Sequence, residues 1–102
     1  MTNYIAAKNT DRCPSHPGAV LADLLEDLDY TKTDIASMLG ISRQQLYDIL
    51  GERKPVSPAV AARLGKLFGD GAGIWLRLQA AHDSWNAERE VDTSMIETLH
   101  VA

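Results

Sequence analysis

The residues with most to offer chemically lie between Thr31 and Lys54. Arg43 and Gln44 stand side by side, and each can form paired hydrogen bonds to a planar partner, a guanidinium fork to guanine and an amide to adenine. Tyr47 and Asp48 follow one turn later if the segment is helical. Asp48 as a carboxylate only accepts, so it suits either a cytosine amino group or an orienting bond to Arg43 or Gln44. Lys32, Ser42, Gln45, Arg53 and Lys54 surround these four with groups fit for phosphate oxygens. Gln45 also stands where it can cap a helix, which competes with that use.

The charge distribution supports this reading, although the 102-residue chain has a net charge of -4. Residues 31–66 carry six basic side chains (Lys32, Arg43, Arg53, Lys54, Arg63, Lys66) against three acidic ones, while both flanking segments are acidic. Phosphate contact requires a local positive surface rather than a basic protein.

Other chemistry finds little support. Cys13 is the only cysteine, which rules out an internal disulfide and suits a reducing compartment such as the cytoplasm. Cys13 and His16 have an offset that suits a metal, but neither His82 nor His100 supplies a second pair at ligand spacing, so no metal is expected. His16 reads better as part of a helix start. Gly69, Gly71 and Gly73 follow no strand and precede no Lys-Ser/Thr pair, so they read as a turn rather than a phosphate cradle. No nucleophile–base or paired-carboxylate pattern appears, so neither an enzyme nor a cofactor is expected. The apolar runs are too short to span a bilayer, and the first ten residues do not resemble a signal peptide.

The positioning elements read as helices, with no period-2 strand pattern. Pro17 opens the first, whose apolar face is predicted to be Leu21, Leu24, Leu25 and Leu28, ending at Asp29-Tyr30. Thr31 caps the second, with Asp34 near the reciprocal position. Ile35, Ala36 and Leu39 point inward and Gly40 stops it. Ser42 caps the third, with Gln45 as its reciprocal partner, Leu46, Ile49 and Leu50 as its buried side, and Gly51 closing it. Ser57-Pro58 opens the fourth, with Val60, Leu64, Leu67 and Phe68 inward and Gly69 at its end. The last begins near residues 70–72 and carries Trp75, Leu78, His82 and Trp85 along one stripe. The middle pair, joined by a glycine turn with Ile41 sealing it and Ala36 allowing close approach, forms a helix-turn-helix, whose second helix enters the major groove N-terminal end first. Trp85 and His82, far along the last helix, are candidates for a dimer or partner interface. The chain divides into an irregular arm (1–15), the helical domain (16–90) and a tail (91–102), in which Met95, Ile96 and Leu99 would form a short amphipathic helix or an extended arm.

At these residues the sequence resembles a known family. The run from Thr31 through Ile41-Ser42-Arg43-Gln44 is similar to the helix-turn-helix of phage repressors and Cro, the Xre family. His16-Pro17-Gly18, Val56-Ser57-Pro58 and Trp75-Leu76-Arg77-Leu78-Gln79, in order and at matching spacing, bring it closest to the HigA-type antitoxins, also called VapI-like. Three positions depart from that pattern: Ala19 replaces a usual Glu, Gly71-Ala72-Gly73 replaces a Ser-Pro-Glu type of helix start, and Gly51-Glu52-Arg53-Lys54 replaces an Asn-Gly-Lys type of ending. The resemblance implies an all-α, five-helix Xre/lambda-repressor-like domain with a short C-terminal extension. It further implies a homodimer that binds double-stranded operator DNA, represses its own operon and neutralises a cognate HigB toxin, a RelE-like ribonuclease. The alternatives are a stand-alone Xre-type regulator without a toxin, and a protein-interaction module with a vestigial helix-turn-helix.

Overall fold

Each of the first four helices begins where a side chain can satisfy its free N–H groups. His16 caps the first, its Nδ1 accepting from the Gly18 N–H at 2.8 Å, with Pro17 in the first turn. Thr31 and Asp34 form a full capping box, the Thr31 hydroxyl accepting from the Asp34 N–H at 3.0 Å and the Asp34 carboxylate from the Thr31 N–H at 3.2 Å. Ser42 accepts from the Gln45 N–H at 3.0 Å and Ser57 from the Val60 N–H at 3.2 Å. The computed structural model describes residues 12–100, and among these the order is α1 (Pro17–Glu26), α2 (Lys32–Leu39), α3 (Arg43–Leu50), α4 (Pro58–Phe68) and α5 (Ala72–Glu90), with no strand. The all-α, five-helix architecture expected from the sequence is the observed one.

The core lies where the five helices converge. Leu21 of α1, Ile35 and Leu39 of α2, Leu46 and Ile49 of α3, Val60 and Leu64 of α4 and Trp75 of α5 are all buried. Leu46 and Leu64 have no exposed surface at all, and each such burial is worth about 1.5–3 kcal/mol. Helix α5 packs chiefly on α4, with the Phe68 and Trp75 rings 5.9 Å apart. Helix α1 packs on α3, so closely that a Cβ on Gly18 would overlap the Ile49 carbonyl oxygen. This gives a physical reason for His16-Pro17-Gly18: a cap, a first-turn proline and a residue with no side chain where two backbones meet.

The structure corrects several details. Helix α1 stops at Glu26, not at Asp29-Tyr30, and Leu24 and Leu28 are 39% and 38% exposed. The neighbouring helices cover only the line through Gly18, Leu21 and Leu25, so the predicted four-leucine face is half used. Ser42 caps α3 without a reciprocal bond, and the Gln45 side chain is exposed. Gly51 does close α3 as expected, though not in the left-handed form. It has φ -84°, and Glu52 takes φ 63° instead. Helix α5 begins without a side-chain cap at Gly71, as the Gly71-Ala72-Gly73 sequence foretells.

The short helix expected as one form of the tail is absent from its described residues, 91–100. Beyond Val91 it holds only a turn around residues 94–95 and then irregular chain, and Met95, Ile96 and Leu99 are 91%, 72% and 84% exposed. The expectations for residues 1–11 and 101–102 lie outside the described residues.

Candidate nucleic-acid interface

The reading helix is held from three sides. Below it, Leu46 and Ile49 are buried in the core, and with a rotation of about 100° per residue this leaves residues 43, 44 and 47 pointing out. Before it, the turn is fixed by Gly40 at φ 74° and by the Ile41 N–H donating to the Ala36 carbonyl at 3.0 Å. From the far side, the Arg63 guanidinium of α4 donates through Nη1 to the Leu39 carbonyl at 2.9 Å and, more loosely, to Gly40 at 3.5 Å. Arg63 therefore serves as a brace for the turn, a use that its place in the basic segment did not announce.

The outward face of α3 has the composition expected of it. Arg43, Gln44, Gln45 and Tyr47 are exposed, and Ser42, Arg43, Gln44 and Tyr47 line one shallow depression. Asp48 stands slightly inward. Its Oδ1 accepts from Gln44 Nε2 at 2.9 Å and from Arg53 Nε at 3.1 Å. The hydrogen bond from Gln44, then that from Arg53 together with the Arg53 and Lys54 charges, hold the Asp48 carboxyl below the ordinary carboxylate range. Asp48 thus bonds to Gln44 and Arg53, and not to Arg43, among the described hydrogen bonds.

The segment after α3 wraps back on that helix. The Arg53 and Lys54 N–H groups both donate to the Asp48 carbonyl, at 2.8 and 3.2 Å, and Arg53 Nη2 donates to the Tyr47 carbonyl at 3.1 Å. Arg53 is thus turned onto the helix end, although its side chain stays 59% exposed. Lys54 lines a second depression with Ser42, Gln44, Gln45 and Ser57, beside the start of two helices. Lys32 is exposed at the first position of α2. Arg43, Gln44, Tyr47 and Asp48 therefore share one surface, with Ser42, Gln45 and Lys54 at its edge.

His82 and Trp85 lie on another part of the molecule. His82 is tied inside the chain: its Nδ1 lies 2.8 Å from the Pro14 carbonyl and its Nε2 lies 3.2 Å from Asn86 Nδ2. The carbonyl requires a donor, so the proton sits on Nδ1 and Nε2 accepts from the Asn86 amide. The ring also meets His16 edge-on at 5.0 Å, so His82 joins the N-terminal segment to α5. Burial of His16, then the neighbouring His82, push its pKa below the usual 6.5, against the opposite pull of Glu52 and Asp83. Trp85 is half-buried with the Arg89 guanidinium 3.7 Å over its ring. Among the described residues no three His, Cys, Asp or Glu side chains converge as a metal site would require.

Gln79 is a positioning residue that sequence reading missed. It is 7% exposed, and its Oε1 accepts from the Val56 N–H at 2.7 Å, fixing the start of α4 to the middle of α5. The available signal was its place one turn after Trp75 on the buried stripe, where a polar residue must have a partner.

No family model matches the chain. Among curated relatives, the Escherichia coli K12 HTH-type transcriptional regulator YbaQ is 32% identical over 87 residues, which is 84% of this chain and 77% of that one. A solved structure of an addiction module antidote protein of the HigA family from Coxiella burnetii superposes with a TM-score of 0.81 at 30% identity, covering 87% of this chain and all of the other. The Pseudomonas aeruginosa antitoxin HigA, solved with the higBA promoter, gives a TM-score of 0.69 at 31% identity over 78% of this chain and 96% of that one. At these identities, coverages and TM-scores the family is plain: the chain belongs to the HigA-type (VapI-like) antitoxins of the Xre helix-turn-helix family of transcriptional regulators.

Proposed function

We propose that the protein is a sequence-specific operator-binding repressor acting in the cytoplasm as the antitoxin of a HigB/HigA-type pair, where it represses its own operon and neutralises a RelE-like ribonuclease toxin. The observation that carries the DNA-binding part is the outer face of α3, where Arg43, Gln44 and Tyr47 stand exposed on a helix whose opposite side is locked in the core. In this reading α3 lies in the major groove, Arg43 and Gln44 address base edges, Tyr47 extends the contact, and Asp48 holds Gln44 in register. Lys32, Ser42, Gln45 and Lys54 meet the flanking phosphates, with Arg53 adding charge from the helix end. Two copies would present two such helices about 34 Å apart to a palindromic site. Trp85, a half-buried ring near the end of α5, is the proposed partner anchor, with His82 as the second interface candidate on the same helix.

The promoter-bound HigA relative supports the same reading. The test has two arms. Gel shift on the protein's own promoter should show binding whose affinity falls steeply with salt. Co-purification with the product of the neighbouring gene should then yield a complex that shifts the same DNA. Binding without any neighbouring basic partner would favour a stand-alone regulator, a second reading that the regulator name of the YbaQ relative keeps open. No shift at low salt would sink the DNA-binding reading altogether.

A further inference from the structure

The end of the chain carries apolar groups with nothing to cover them. Helix α5 reaches the level of the α4 start at Gln79 and then continues for eleven more residues, about 16 Å at 1.5 Å per residue. At Val91 the helix ends and the backbone turns extended, with φ -94° and ψ 125°. From there to His100 every residue is exposed, Met95, Ile96 and Leu99 most of all. The hydrogen bonds that order this stretch are local: the Val91 N–H donates to the Ala87 carbonyl, the Ser94 N–H to the Asp92 carboxylate and the Ile96 N–H to the Thr93 carbonyl. Its charged side chains, Asp92 and Glu97, are both acidic.

A surface of opposite character lies on the helix-turn-helix body. Met38 of α2 and Ala59, Ala62 and Leu67 of α4 line an open apolar groove of about 740 Å³, and Met38 is 48% exposed. Its rim is basic, with Arg63 and Lys66, and neither is paired with a carboxylate among the described residues. The small side chains of Ala59 and Ala62 leave room for a chain to lie along α4. An acidic strip bearing three large apolar side chains matches a basic-rimmed apolar trough in both polarity and sign.

We infer that residues 91–100 are an exchange arm, which lies in the Met38–Ala59–Ala62–Leu67 groove of a second copy with Glu97 beside Lys66. The inference rests on the dimer of the proposed function and says what holds it together. Two arms and two grooves satisfy the self-complementarity that a twofold dimer requires. The groove is built on α2 and α4, and α2 packs on α3, so the arm that joins two copies also bears on an element that aims the reading helix.

Sedimentation equilibrium on the full chain, on a chain ending at Glu90, on Lys66→Glu and on Lys66→Glu/Glu97→Lys tests this. The arm's residues are all exposed and its one hydrogen bond to α5 among the described residues is that of the Val91 N–H at the helix end, so the shortened chain should keep its helical circular dichroism. The expected result is a dimer for the full chain, at least a tenfold weaker dimer for the shortened chain and for Lys66→Glu, and recovery in the double variant. Met38→Cys/Ile96→Cys in a Cys13→Ser background should then give a disulfide-linked dimer on oxidation. A shortened chain as dimeric as the full one overturns the arm and leaves the dimer intact. A monomeric full chain overturns both. A cross-link closing within a single chain, or none at all, overturns the second copy as the occupant.

Discussion

Replacing Gln79 by Met would separate the two jobs of a buried polar side chain. Met is unbranched and similar in length, so the site stays filled, but Val56 loses the acceptor that now receives its N–H at 2.7 Å. Val56 is 3% exposed, so water cannot replace the bond without opening the joint between the α3–α4 connection and α5. An orphaned buried N–H costs about 1–3 kcal/mol. In a domain of this size each kcal/mol moves the melting temperature by roughly 4–8 °C, so a fall of between about 4 and 24 °C is expected. Gln79 also donates to Asp83 Oδ1 at 3.0 Å on an exposed side, and Asp83→Ala should cost no more than about 0.5 kcal/mol. Thermal and urea unfolding at one fixed protein concentration give the stability, since a dimer would make it concentration-dependent. Amide hydrogen exchange at Val56 gives the cause. If the Val56 amide in Gln79→Met exchanges as slowly as in the parent, and stability is unchanged, the proposed role of Gln79 is wrong.

Four further outcomes follow from the same geometry. Gly18→Ala should destabilise by about 3 kcal/mol or more, because its Cβ meets the Ile49 carbonyl rather than a side chain that can move, whereas Ala19→Gly should cost only about 1 kcal/mol or less; urea unfolding distinguishes them. His16 must stay neutral at Nδ1 to cap α1, and its pKa in the folded chain lies below the 6.5 of the unfolded one. Its contribution is therefore complete above that range and is lost as pH falls through it, where only the unfolded chain gains the proton; unfolding across pH 5.5–7.5 should show the slope, and His16→Asn, a cap that does not titrate there, should flatten it. Glu52→Gly should stabilise by about 0.5–1 kcal/mol, the left-handed penalty of about 1–2 kcal/mol less the added freedom of glycine in the unfolded chain, as read from the melting temperature. In gel shifts against a panel of operator variants, Arg43→Ala should relax base preference at one position by about 1–3 kcal/mol, and Lys32→Ala should weaken all sequences alike; an equal loss on every sequence for Arg43→Ala would remove it from base reading.

The features legible in the sequence are those whose causes act within a turn or two of chain. Thr31 with Asp34, Ser42, Ser57-Pro58, Gly40 and Gly69 mark helix ends because a cap bonds to an N–H or carbonyl only two to five residues away, and each stands where it was expected. The outward set Arg43, Gln44 and Tyr47 follows from helical periodicity once Leu46 and Ile49 are assigned inward. The family, too, was legible, because its motifs are short and their spacing is fixed by those same helix starts.

Contacts between distant parts of the chain decided the rest. Leu24 and Leu28 fit an apolar stripe, but a stripe is buried only where a neighbour lies over it, and among the described residues these two are left more than a third exposed. Arg63 reads as one more cation until α4 brings it to the Leu39 carbonyl, 24 residues away, and His82 reads as an interface candidate until its ring is found bonded to the Pro14 carbonyl, 68 residues away. Gln79 on Val56 is the same case. The sequence by itself determined which segments are helical and which edge of α3 is left outward, since those depend on bonds closed within each segment. Which polar groups are free for another molecule, and which are consumed inside the fold, was settled only by tertiary structure, because a donor finds its acceptor through packing that local sequence does not encode.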